Sequence, residues 1–331
     1  MKLLITGGAG FLGVRLARTL LARGTLGGQP IASIVLADLV APPAELLADR
    51  RVQRRTGALL EQASALGAEG FDGVFHLASA VSAECEADFD LGLRSNLDTT
   101  RALLDALRAQ VGRGAAVPRV VFASSVAVYG SDAGSPLPAV VRDETLPTPQ
   151  SSYGIHKFIN EQLIADYTRK GYIDGRTARL MTVSVRPGRP NGAASSFLSG
   201  IIREPLAGVE SVCPVSPDTQ VALASPASTI AGLIAVFEAS REAFGGRTAV
   251  NLPALTVSVR QMLDALREVG GETALARVRF EPNAAIAAIV GGWPARFEAG
   301  RSVKLGLVPD ADFIGVVRQY VQDNPQAITG I

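Results

Sequence analysis

The chain has 331 residues, 47% of them hydrophobic and 19% charged, with a formal net charge of +1. This length exceeds what one compact core usually takes, so two lobes or one enlarged domain is expected, and the apolar share excludes a disordered composition. The charge balance argues against nucleic acid or an anionic membrane as the main partner. With only two cysteines, Cys85 and Cys213, and two histidines, neither a disulfide scaffold nor a metal site is expected. The chain enters an apolar strand at Lys2 with no charged leader, and no apolar run approaches the roughly 18 residues of a membrane span. A cytoplasmic location is therefore expected.

Lys2–Thr6 reads as a first strand, followed by a glycine turn and a helix over about Phe11–Arg23. Ile31–Ala37, Val52–Thr56 and Gly73–Ala78 read as further strands, and a long helix is expected over Asn96–Val111. Arg119–Ala123 is the next strand, then a helix over about Tyr153–Lys170, then a strand over Ala178–Val185. Near-continuous apolar strands alternating with helices predict an α/β parallel sheet covered on both faces. After Arg186 the rhythm breaks: proline and glycine punctuate Pro187–Pro226, and helices return near Ser228–Ala239 and Ser258–Val269. Thr248–Leu252 is expected to rejoin the sheet. The reading is a first domain over 1–186 joined by about 226–252, and a smaller C-terminal lobe from 187–225 and 253–331.

The stretch "TGGAGFLG" follows the first strand and opens a helix. Gly7, Gly10 and Gly13 have the spacing that lets backbone turn tightly, approach a pyrophosphate and pack close to the sheet. Phe11 and Leu12 begin the helix, whose free N–H groups and positive dipole favour phosphate. Asp38 falls at the tip of the second strand, where a carboxylate accepts from ribose hydroxyls and repels a 2′-phosphate. That argues for NAD over NADP.

In "SSYGIHK", Tyr153 and Lys157 lie four residues apart, one turn along one helix face. A free tyrosine, with a pKa of about 10, is a poor base. A neighbouring ammonium favours the phenolate, which can then take a proton from an alcohol. The strand "RVVFASSVAVYG" ends in Ser124 and Ser125 at a strand C-terminus, where open parallel sheets place ligands. A serine hydroxyl there can hold the reacting oxygen.

These motifs, together with "HLAS" at His76–Ser79, Asn96 and "RPGRPNG" at Arg186–Gly192, resemble the extended short-chain dehydrogenase/reductase family over nearly the first 200 residues. The resemblance implies a Rossmann-type doubly wound sheet with a smaller C-terminal α/β substrate lobe, NAD as cofactor, and Ser125, Tyr153 and Lys157 as the catalytic trio. It implies that Ala78 and Ser79 line the cofactor, that Asn96 supports the catalytic lysine beside it, that Tyr153 and Lys157 also bind the cofactor, and that Pro187 and Gly188 lie against the nicotinamide. One departure is Ala58 in "RTGALLEQ", where the family often carries an acid that meets adenine; Leu59 is the candidate contact instead. Family members commonly pair through the helices matching Asn96–Val111 and Tyr153–Lys170, so a homodimer is expected.

"SVRPGRPNGAASSFLSGIIREPL" and "GGWPARFEAGRSVKLGL" resemble the D-erythronate dehydrogenase branch, which oxidises a four-carbon sugar acid at C2. A small hydroxy acid needs a cation for its carboxylate and hydroxyl-bearing side chains for its other oxygens. Arg189, Arg203, Ser195, Ser196 and Ser79 are the candidates, beside Ser125 and Tyr153. A nucleotide-sugar epimerase or dehydratase is the alternative enzyme, and a non-catalytic NAD-sensing protein the alternative outside catalysis. His76 and His156 read as structural and peripheral, and Trp293 as a packing anchor. Asp143 and Glu144 read as loop residues.

Overall fold

A computed structural model describes residues 1–188 and 194–329. The chain divides into two compact units, one from residues 1–128, 149–179 and 230–250, the other from 129–148, 180–229 and 251–331.

The first unit is built on a seven-stranded sheet. Its strands are β1 (Lys2–Thr6), β2 (Ser33–Asp38), β3 (Val52–Thr56), β4 (Gly73–His76), β5 (Arg119–Ser125), β6 (Asp174–Leu180) and β7 (Val250–Asn251). They lie side by side in the order β7-β6-β5-β4-β1-β2-β3. β1 pairs in parallel with both β2 and β4, β2 with β3, and β4 with β5. The order reverses between β1 and β4, which opens a crevice at the carboxyl ends of those strands. Leu3, Leu4, Ile5, Val74, Phe75, Val120 and Val121 are fully inaccessible, as expected of strands covered on both faces.

Helices α1 (Phe11–Arg23), α2 (Leu59–Glu69), α3 (Thr99–Gly112) and α4 (Ser152–Arg169) provide that cover. Leu66 of α2, Leu103, Leu104 and Leu107 of α3, and Ile164 of α4 close over Leu4, Val35, Val74, Val120 and Phe122. α1 stops at Gly24, which takes the left-handed conformation at φ 68° and returns its N–H to the Leu20 carbonyl. α4 is started by Ser151, whose hydroxyl accepts from the Gly154 N–H.

The alternation read from the sequence is present, with two differences. The expected helix start at Asn96 falls inside a wider π-helical turn, Leu93–Asp98, that runs into α3. The expected strand Ala178–Val185 is two elements: β6 in the large sheet, then Thr182–Val183 in a separate three-stranded sheet with Gln220–Ala224 and Leu255–Ser258.

The second unit packs α5 (Phe197–Leu206), α6 (Val259–Leu275) and α7 (Phe313–Asp323) around Leu198, Ile201, Ile202, Leu206, Val221, Leu223, Met262, Leu266 and Val317. Trp293 packs partly buried against this core. Segment 129–148 joins the unit through the Tyr129 hydroxyl, which donates to Asn251 Oδ1 at 2.9 Å, and through pairing of Val141–Arg142 with Phe297–Glu298. Among the described residues, no helix is long and apolar enough to cross a membrane.

Candidate active site

The glycine turn between β1 and α1 is built by close backbone approach. Gly7 has φ +69°, and a Cβ on it would sit 2.9 Å from the Ala78 nitrogen. A Cβ on Gly13 would come within 2.1 Å of the Gly7 carbonyl oxygen, so the first turn of α1 is pressed against the loop. α1 starts after Gly10 with no side chain capping its N–H groups. Backbone donors and positive dipole are thus left open at the crevice, which fits a dinucleotide pyrophosphate. Phe11 and Leu12 lie half-buried in that first turn. Asp38, half-buried at the end of β2, accepts from the Ala9 N–H at 2.9 Å and the Leu39 N–H at 2.7 Å, tying the turn to the strand tip. Leu59 is the half-buried first residue of α2.

After β4 the chain runs into the Ala78–Ala80 loop, and Asn96 holds it. The Asn96 side-chain oxygen accepts from the Ser79 hydroxyl at 3.0 Å and the Ala80 N–H at 2.8 Å, while Nδ2 donates to the Ala80 carbonyl and the Cys85 sulfur, each at 3.3 Å. The Asn96 carbonyl, within the π turn, accepts from Thr100 Oγ1 at 2.6 Å and Asn160 Nδ2 at 2.9 Å. Because Thr100 gives its proton to that carbonyl, its oxygen accepts from His76 Nε2 at 3.0 Å. His76 Nδ1 then accepts from Thr6 Oγ1 at 2.6 Å, and Thr6 in turn accepts from the Ala78 N–H at 3.3 Å. Complete burial, helped by the Lys157 charge, pushes the His76 pKa down to about 3, so the ring is neutral and structural.

On α4, Tyr153 and Lys157 share one face. Lys157 Nζ lies 5.4 Å from the Tyr153 ring centroid and 4.9 Å from that of Phe122, and donates to the Ala123 carbonyl at 2.8 Å. Burial lowers the lysine pKa to about 8, with Cys85 and Glu161 opposing the shift. Ser125 is half-buried at the end of β5, its hydroxyl oxygen accepting from the Ala127 N–H at 3.1 Å. The two serines that the sequence leaves side by side differ: Ser124 is 1% exposed and donates to Glu161 Oε1 at 2.6 Å. Tyr153, Lys157 and Ser125 therefore lie in the same unit as the glycine turn, Asp38 and the Asn96 loop.

The remaining described candidates for substrate and nicotinamide contact lie in the second unit. Arg189 falls outside the described residues. Pro187 and Gly188 are exposed, and Gly188 has φ +95°, a backbone state that favours glycine. Ser195 and Ser196 are half-buried just before α5. Arg203 is only 7% exposed: it donates to the Arg186 carbonyl at 2.8 Å and pairs with Glu204 at 2.5 Å, so these internal groups occupy it. Asp143 accepts from the Arg301 N–H at 2.8 Å, a staple within its unit, and Glu144 is exposed.

Sequence reading passed over Thr6, Thr100, Asn160, Glu161 and Arg179. Each is a buried polar residue on an element whose apolar pattern was read for packing, and that exception to the pattern was the available signal.

A model of the NAD dependent epimerase/dehydratase family matches residues 3–220. The chain is 51% identical to D-erythronate dehydrogenase from Cupriavidus necator, over 98% of each chain. It is 39% identical to the Haemophilus influenzae D-erythronate dehydrogenase, over 97% of this chain and 99% of that one. The crystal structure of a nucleoside-diphosphate-sugar epimerase from Agrobacterium tumefaciens superposes with a TM-score of 0.92 at 41% identity, covering 99% of this chain and 95% of that one. A GalE-like L-threonine dehydrogenase from Cupriavidus necator, in its holo form, shares the fold with a TM-score of 0.81 at 22% identity. The chain belongs to the NAD dependent epimerase/dehydratase family and is an NAD-dependent oxidoreductase.

Proposed function

We propose that this enzyme oxidises D-erythronate to 2-dehydro-D-erythronate. The observation that carries this reading is the 51% identity to a D-erythronate dehydrogenase over 98% of both chains. NAD, when bound, supplies the two-electron acceptor for the hydride that leaves C2. Gly7, Gly10, Phe11, Leu12 and Gly13 would hold its pyrophosphate, Asp38 its adenosine ribose, Leu59 its adenine edge, and Ala78, Ser79, Asn96, Pro187 and Gly188 the remainder.

The chain's own residues handle the proton. Tyr153, as phenolate, takes the C2 hydroxyl proton, and Ser125 orients that oxygen by a hydrogen bond. Lys157, placed 5.4 Å from the tyrosine ring, stabilises the phenolate by its charge. Ser79, Ser195 and Ser196 are assigned to the other hydroxyls, and Arg189 to the carboxylate, with Arg203 supporting through the Arg186 backbone. Exposed Ile155 and Ile159 on α4 favour a homodimer formed through α3 and α4.

Incubation with D-erythronate and NAD should give one reduced cofactor per acid consumed, and Tyr153→Phe should cut kcat by roughly 10²-fold or more. Absence of turnover with every four-carbon acid would sink the proposal. The second reading, a nucleotide-sugar epimerase, is favoured by the name of the Agrobacterium tumefaciens relative. It predicts interconversion of a nucleotide sugar with no net NADH, so the same assay separates the two.

A further inference from the structure

Behind the trio lies a buried ion pair that the proton chemistry does not itself use. Glu161 stands on α4, one helical turn beyond Lys157, and is 3% exposed. Its Oε1 accepts from the Ser124 hydroxyl at 2.6 Å and from Arg179 Nε at 2.9 Å, and its Oε2 accepts from Arg179 Nη2 at 2.6 Å. Arg179 is on β6 and 5% exposed. A buried carboxylate with a forked guanidinium is geometrically stiff, because two parallel bonds fix both planes. Such a pair is a weak source of stability, since desolvation offsets attraction, and fixing one arrangement is a better-supported use.

What it fixes is specific. Ser124 directly precedes Ser125, and Ala123, the residue before, accepts the Lys157 ammonium at 2.8 Å. Consecutive residues of β5 are thus tied to α4 at two points one turn apart: the Ala123 carbonyl to Lys157, and the Ser124 hydroxyl to Glu161. Ser125 follows at the strand end, its oxygen accepting from the Ala127 N–H. We propose that Glu161, oriented by Arg179, is a positioning residue that grips Ser124 and so sets the Ser125 hydroxyl in register with Tyr153 and Lys157. This rests on the trio reading given above.

The full-length enzyme tests it with Ser124→Ala, Ser124→Thr and Glu161→Gln. Ser124→Ala removes the grip without leaving a buried charge alone, and Thr restores a hydroxyl. Ser124→Ala should lower kcat about tenfold with the KM for NAD unchanged, and Ser124→Thr should recover most of that loss. Amide exchange measured on the cofactor-free protein should accelerate about tenfold in 123–128 for Ser124→Ala and Glu161→Gln, and stay unchanged in 2–23. Unaltered exchange in 123–128, or faster exchange with unaltered kcat, would overturn the assignment. So would acceleration spread evenly over the chain in Ser124→Ala, which marks general packing. If the wild-type enzyme turned over no four-carbon acid, the proposed reaction would fall, while the exchange measurement would still decide whether Glu161 positions this strand end.

Discussion

Lys157 is placed where its charge is useful and expensive at once. It is 3% exposed, and burial is the largest influence on its pKa, which falls from 10.5 to about 8. Between those pH values the unfolded chain holds more protons than the folded one, so folding stability rises with pH across that window. Below about pH 8 the full penalty applies, on the order of 3 kcal/mol. Lys157→Met should therefore abolish turnover yet stabilise the protein by about 1–3 kcal/mol at pH 7, an advantage that shrinks as pH rises toward 10. Thermal unfolding of both proteins at pH 7 and pH 10 checks this; a destabilised variant at pH 7 would mean that the bond to the Ala123 carbonyl outweighs desolvation. Tyr153 and Lys157 were legible in the sequence because their relation is one helical turn, a local period. The partner of Ser124 was not, because Glu161 lies 37 residues further on, on a helix that meets the strand only in the fold, and Arg179, which holds Glu161, lies 55 residues on.

At the scale of elements, the glycine turn was legible for the same reason that it is fragile. Gly13 is needed because the Gly7 carbonyl occupies the space of its Cβ at 2.1 Å, whereas around Gly24 nothing lies within 4 Å. Gly13→Ala must push α1 from the loop, so NADH affinity should fall at least tenfold. Gly24→Ala meets only the left-handed backbone penalty, about 1 kcal/mol, and should leave NADH affinity unchanged. Fluorescence titration with NADH, beside unfolding curves, separates the effects; equal affinities would show that the turn yields without losing its shape. The π turn at Leu93–Asp98 escaped sequence reading, since nothing in "LRSNLD" opposes an ordinary helix. Thr100 and Asn160 are the groups that claim the Asn96 carbonyl there. The split of Ala178–Val185 escaped too, because no glycine or proline interrupts the run and period alone does not say which sheet receives a strand.

For the molecule as a whole, strand–helix alternation carried the parallel sheet, whereas the second unit takes 129–148 and resumes at 180, ahead of the composition break after Arg186. The return of 230–250 to the first unit was partly legible from the apolar Thr248–Leu252 run, but its anchor was not. That anchor is Asp174, the first residue of β6. Its carboxylate pairs with Arg176 at 2.6 Å, with Arg119 at 2.9 Å and with Arg241, while Arg119 and Arg176 also donate to the Phe237 and Ala239 carbonyls. One carboxylate thus gathers three guanidiniums and, through them, the returning segment. Burial alone would raise the Asp174 pKa, but Arg176 and Arg241 more than reverse that and hold it below the usual carboxylate range. Its stabilising effect is therefore present above the unfolded carboxylate pKa, near 4, and is lost as pH falls through the lower folded value. Asp174→Asn leaves Arg176, whose side chain is wholly inaccessible, without a charge partner, and should cost about 2–4 kcal/mol at pH 7. The gap to wild type should close as pH drops below 4. Asp174 and Arg119 begin their strands, whereas the glycine turn, Asp38 and Ser125 lie at strand carboxyl ends, so NADH affinity should stay unchanged. Denaturant unfolding from pH 7 to pH 3, with an NADH titration at pH 7, checks both halves. A variant as stable as wild type at pH 7 would show that backbone pairing, not this node, returns the segment to the sheet.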